Sequence, residues 1–190
     1  MCLLICINKN KHSYETPSKP TTATSPITSL VYDYTRANQW AIETIVTWLK
    51  SKPADAIEKE IASSFPGIRG TLVHIWDTER FWLSVIKKQP APPSFRFAGF
   101  DGTLAEVFEG IQSTSKELTD FVTNLTEEEL CENITLEMPW FQGTKTRYEF
   151  IQHCVNHSSY HRGQAVTLGH HAGFHDAPMT DFSFYLIRVK

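Results

Sequence analysis

Hydrophobic positions recur at steps of three and four through most of this chain, and the places where that step breaks mark its joints. Over residues 30–49, Leu30, Tyr34, Ala37, Ala41, Ile45, Trp48 and Leu49 keep the step, which predicts a first helix that stops before Pro53. Ser63 or Ser64 can cap a second helix with Pro66 in its first turn, where a missing N–H costs little, and this helix runs to about Lys87. The proline-rich run from Gln89 to Pro93 ends it, and a loop containing Gly99 and Gly102 leads to a third amphipathic helix over 103–124. Thr126 with Glu129 has capping-box spacing for one short turn. Ile134, Leu136 and Met138 alternate with polar neighbours before Gly143, the pattern of a short strand or hairpin at the periphery. Thr146 with Glu149 opens a fourth long helix, which frays near 169–173, and the apolar ending at 182–187 can dock as a tail. Four long helices in one domain predict an all-α fold, a four-helix bundle with a short peripheral hairpin or strand segment.

Composition sharpens the boundaries. Residues 8–26 are rich in Lys, Ser, Thr and Pro and cannot bury enough apolar surface to order themselves. The expected division is therefore an N-terminal extension of disordered composition over 1–26 and a single domain over 27–190. With 190 residues and 41% hydrophobic composition the chain fills one core and is short for two. A formal charge of -3 and a pI of about 6.2, with no Lys/Arg cluster among aromatics, lack the footprint of a nucleic-acid binder. No apolar run reaches the ~20 residues of a membrane span. Met1 to Ile7 is apolar, but its cations Lys9 and Lys11 follow rather than precede it, against a signal peptide. Cysteines at 2, 6, 131 and 154 lack C-x-x-C spacing, and a reducing cytoplasm is the expected location.

The chemistry concentrates in the run from Asn156 to Gln164, where His157 and His161 stand one helical turn apart. Four residues advance a helix by ~400°, so the two side chains diverge by ~40° and lie ~6 Å apart along the axis, within reach of one divalent cation. On a helical projection they share an arc with Phe150, Cys154, Ala165 and Leu168, and so interrupt a core-facing stripe. Buried imidazoles need partners; the two readings are metal coordination and a hydrogen-bonded pair in a polar core. A bundle site needs a ligand from another helix, and His74, at the edge of the second helix's apolar arc, is the candidate. His153 makes a second H-x-x-x-H pair with His157. It stands ~12 Å along the axis from His161, too far for both to bind one ion, and is better placed as pocket wall.

Cys154 lies on the same face and reads as a small buried apolar residue rather than a ligand. Asn156 and Gln164 can orient a ligand imidazole through its second nitrogen, or be surface amides. Tyr160 is a candidate for proton transfer, and Asp77 stands either beside the site or in solvent. The projection turns Glu79 away from His74 and points Arg162 away from the metal stripe, toward a salt bridge with a neighbouring element. His170, His171 and His175 read as exposed cations at a helix C-terminus, and His12 lies in the polar arm.

The run I-R-G-T-L-V-H-I-W-D-T-E-R-F-W-L from Ile68 to Leu83, followed by N-H-S-S-Y-H-R-G-Q, resembles the DinB/YfiT-like family of damage-inducible helical-bundle proteins. The resemblance extends over about 27–188 and includes Tyr32, Tyr34, Asn38 and Trp40 and the tail D-F-S-F-Y-L. It implies a four-helix bundle, usually a homodimer, with a three-histidine site at His74, His157 and His161. Zinc or nickel is the leading ion, with iron or manganese as alternatives. It also implies use of low-molecular-weight thiols by some members, so the expected activity is metal-dependent S-transfer from such a thiol to an electrophile. The other two readings are hydrolysis by a metal-bound water and a non-catalytic metal-binding or stress-response module.

Overall fold

The structure is a computed structural model that describes residues 25–95, 99–139 and 141–190, without the Phe141 side chain. The expected N-terminal extension lies outside the described residues except for its last two positions. Helix α1 spans Pro26–Lys50 and begins earlier than its apolar periodicity, because the Ser25 hydroxyl accepts the Thr28 N–H at 3.2 Å and Pro26 takes a position that needs no donor. A short α2 (Ala54–Glu58) follows, which the sequence reading did not anticipate.

Helix α3 spans Gly67–Ile86 and corrects the predicted cap. No side chain caps it, and Pro66 precedes its first residue. The turn is made instead by Gly67 at φ +66°, whose N–H reaches Ile61 O at 3.1 Å and where a Cβ would lie 2.4 Å from Lys59 O. Helix α4 (Leu104–Val122) starts with a capping box between Thr103 and Glu106, and α5 (Glu127–Leu130) with the one read between Thr126 and Glu129. Strands β1 (Asn133–Met138) and β2 (Phe141–Thr146) pair antiparallel, Asn133 opposite Thr146 and Leu136 opposite Gly143. The Thr146 N–H then donates to the Glu149 carboxylate at 2.9 Å and opens α6 (Arg147–His171). The chain finishes with α7 (Phe182–Phe184) and one π-helical turn, Tyr185–Val189, in which Tyr185 is buried against Trp40.

Helix α1 packs on α4 and α6, and α3 packs on the same two, so the four long helices run α1, α4, α3, α6 around the bundle. Their apolar residues form two clusters. One joins Ile42, Leu49, Ile68, Leu72, Val107, Ile111 and Leu168; the other joins Val31, Ile86, Leu118, Val122, Phe150 and Ile151. The second holds the start of α1 and α6 and the end of α3 and α4, so α1 and α6 run one way and α3 and α4 the other. Parallel α3 and α4 need the long 87–103 crossover, which contains the proline run. The hairpin closes the second end, with Ile134 and Leu136 buried in its cluster. Between the clusters lies a polar layer: Asn38 from α1, His74 and Glu79 from α3, Thr114 and Ser115 from α4, and His157, Ser158, His161 and Arg162 from α6. No helix among the described residues is long and apolar enough to cross a membrane.

Candidate metal centre

The polar layer brings His74 of α3 against His157 and His161 of α6. The Nε2 atoms of His74 and His161 are 3.1 Å apart and those of His161 and His157 are 3.2 Å apart. The ligand atoms of all three lie within 4.8 Å of one another. Nitrogens bonded to one ion at ~2.1 Å stand ~3.4 Å apart at tetrahedral angles and ~3.0 Å apart at right angles. These two separations fall between the limits, and with all three donors within 4.8 Å of one another the group could hold a single ion.

Protonation works in the same direction. Burial, then the neighbouring His161 and His157 charges, lowers the His74 pKa to about 3. Burial, then His161 and His153, lowers that of His157 to about 4. Burial also lowers that of His161, against a hydrogen bond from Gln164 that raises it. All three rings are therefore neutral near pH 7, the form that binds metal. Gln164 Oε1 stands 2.7 Å from His161 Nδ1. With the amide oxygen accepting from Nδ1–H, the His161 lone pair is fixed on Nε2, toward the other two rings.

Phe65, in the loop before α3, was not picked out by the sequence pattern. Its ring stacks on His74 at 3.7 Å and 16° and meets His161 edge-on at 5.5 Å. The stack fixes the plane of the His74 imidazole and covers one of its faces.

The remaining candidates divide. Tyr160 is 65% exposed at the rim, its ring 5.0 Å from that of His161. His153 is exposed, packs edge-on against Trp82 at 4.5 Å and lies 6.0 Å from the His157 ring, in the wall position expected of it. Asn156 takes the second of its two readings, an exposed amide on the helix surface rather than an imidazole partner. Its Oδ1 accepts from the Tyr34 hydroxyl at 3.3 Å, because its place on α6 faces α1. Asp77 is not in solvent: it is buried on α3, three residues after His74, and ion-paired with Arg80 at 3.2 Å. Cys154 is buried, and burial followed by the Glu79 charge pushes its thiol pKa well up, as befits an apolar core residue. His170, His171 and His175 are exposed beyond the site, with His170 Nδ1 3.3 Å from His175 Nδ1. His12 lies outside the described residues.

The sequence reading passed over a buried polar group beside the imidazoles. Glu79 is 0% exposed, and its Oε1 accepts from Asn38 Nδ2 and from Ser158 Oγ, both at 2.7 Å. Arg162 does turn off the metal stripe, as read, but into the core, where Nη1 donates to Asn38 Oδ1 and Nη2 to Ser159 Oγ at 2.8 Å.

The fold and site together define a helical bundle whose middle layer carries a three-histidine group that could hold a metal ion. The DinB family model matches residues 22–188, and the chain belongs to the DinB family. It is similar to protein DinB of Bacillus subtilis (strain 168), 29% identical over 165 residues that cover 84% of this chain and 94% of that protein. The crystal structure of a DinB-like protein from Bacillus subtilis shares the fold with a TM-score of 0.55 at 17% identity, over 83% of this chain and 98% of that one.

Proposed function

We propose that His74, His157 and His161 hold one divalent ion and that the protein is a metal-dependent transferase joining a low-molecular-weight thiol to an electrophile. The observation that carries this reading is the convergence of three neutral imidazoles through Nε2 in a set that contains no carboxylate. When bound, the ion supplies positive charge that lowers the pKa of a thiol or water placed beside it. Neutral ligands leave that charge undiminished. A thiol, with an ordinary pKa near ~8.5, needs less help to ionise at pH 7 than water does, which favours S-transfer over hydrolysis. In the reaction the thiol S–H proton is released to solvent, a sulfur–carbon bond forms, and the electrophile gives up its leaving group.

The protein's own residues supply placement. Gln164 orients His161, Phe65 fixes the plane of His74, and Tyr160 and His153 border the approach. The reading takes zinc or nickel as the ion and a homodimer as the working form; the exposed Leu186, Ile187 and Val189 of the tail offer apolar surface for a second copy.

The test is metal content together with turnover. Wild type is expected to hold about one equivalent of metal per chain, lost in His74→Ala, His157→Ala and His161→Ala. The loaded protein is expected to conjugate bacillithiol, mycothiol or glutathione to monochlorobimane. A rate no greater than that of His157→Ala with all three thiols would remove the transferase reading.

A further inference from the structure

The buried group of Glu79, Asn38, Arg162 and Ser158 lies outside the ligand set, yet it meets every long helix. Asn38 comes from α1, Glu79 from α3, Ser158 and Arg162 from α6, and Ser115 of α4 joins through its hydroxyl, 3.3 Å from Asn38 Nδ2. Asn38 is the bridge: its Nδ2 donates to Glu79 and its Oδ1 accepts from Arg162. The arrangement is also incomplete, because Glu79 Oε2 and Arg162 Nε have no hydrogen-bond partner among the described residues.

Buried charges cost desolvation that hydrogen bonds and Coulomb attraction only partly return, and apolar packing in their place is often as stable or more so. A bundle with two filled apolar clusters does not need them for cohesion. What they add is direction, since hydrogen bonds fix geometry where apolar contacts slide.

That direction concerns the imidazoles. Ser158 follows His157 by one residue and Arg162 follows His161 by one, so each stands ~100° round α6 from a ligand. An imidazole nitrogen ~6 Å from the helix axis moves by ~1 Å when the helix turns by ~10°, enough to spoil a metal site. We propose that Glu79, Asn38, Arg162 and Ser158 are positioning residues that lock the rotation of α6 against α1 and α3, so that His157 and His161 meet His74. The inference rests on the metal reading above, and it assigns these four no contact with ion or substrate. Burial raises the Glu79 pKa and lowers that of Arg162 to about 10, and each shift is opposed by the other's charge, consistent with two groups held where they are poorly solvated.

The test compares Arg162→Met, Ser158→Ala, Glu79→Ala and Glu79→Gln with Leu118→Ala, which opens a cavity in an apolar cluster that contains none of the three imidazoles. Two readouts are used: the visible spectrum and affinity of the cobalt(II)-loaded proteins, and histidine-selective NMR of the metal-free proteins. Arg162→Met and Ser158→Ala are expected to bind cobalt(II) about 10- to 100-fold more weakly, with changed absorption bands and shifted His157 and His161 ring resonances. Glu79→Gln, which keeps an acceptor for Asn38 and Ser158, is expected to retain more affinity than Glu79→Ala. Leu118→Ala is expected to melt earlier with spectrum and imidazole resonances unchanged. Ser158→Ala removes a single hydroxyl and serves if the charge variants do not fold. Variants that lose melting temperature while keeping wild-type cobalt spectra and imidazole resonances would overturn the proposal, leaving only a stabilising role. Absence of turnover with every thiol would bear on the transferase reading alone, because neither readout involves a substrate.

Discussion

His161 and Gln164, three residues apart on one helix, are joined through Nδ1 and Oε1 at 2.7 Å, while the other ring nitrogen of His161 faces both remaining imidazoles. One amide therefore sets the tautomer of the central histidine. Such outer partners are worth 10- to 100-fold in metal affinity. Gln164→Leu should weaken zinc binding by about that factor in a competition titration with a chromophoric chelator, with little change in melting temperature because Gln164 is only half-buried. Gln164→Glu, which retains the acceptor, should bind like wild type. Equal zinc affinity in the Leu variant would show that the tautomer is not set here.

Acid should act on this site later than on an ordinary histidine. The folded pKa values of His74 and His157, about 3 and about 4, lie below the unfolded value near 6.5. Between those limits the unfolded chain binds more protons, so the stability these groups contribute is complete above about pH 6.5 and is lost as pH falls toward 3. The chelated protein should therefore hold its melting temperature from pH 8 to about 6.5 and lose it progressively below. The loaded protein should keep its ion through gel filtration at pH 5.5, because His74 and His157 take up protons only near pH 3 and pH 4. Release of the ion already at pH 6.5 would mean that the imidazoles titrate normally.

A third prediction concerns the scaffold. Gly110 of α4 lies under the Trp76 indole, whose Nε1 donates to Thr114 Oγ1 at 3.1 Å. A Cβ at Gly110 would sit 2.1 Å from Trp76 Cζ2. Gly110→Ala gains helix propensity, but the indole cannot yield without breaking its hydrogen bond and overpacking its cluster. The net effect should be a loss of about 1–3 kcal/mol in denaturant unfolding. An unchanged or raised midpoint would show that the indole can move aside.

Much of this architecture could be read along the chain because its signals are local. Thr126 with Glu129 and Thr146 with Glu149 mark helix starts by chemistry three residues apart, and Ile134, Leu136 and Met138 mark a strand by alternation. The pair His157 and His161 is legible for the same reason, and His74 because it sits in the apolar stripe of a single helix. Arg162 and Glu79 turn off the histidine stripe as the projection has it, but a projection that assumes one buried face does not show that they meet around Asn38 in the core. Helix α6 lies between α1 and α3 and buries two, so turning away from the histidines still leads into the core. Phe65 sits in a loop without periodicity, and the start of α3 depends on Gly67 meeting Ile61 and Lys59, contacts that no local rule contains.

The separation of the two apolar clusters from the layer between them bears on the order of assembly. The clusters that close the two ends of the bundle contain none of the three imidazoles. The polypeptide can thus complete its tertiary structure before it meets an ion, unlike small domains that fold only around zinc. If the three imidazoles hold an ion as proposed, it is chosen by exchange on a finished protein, and the pool of available metals in its surroundings, rather than the folding route, decides its identity.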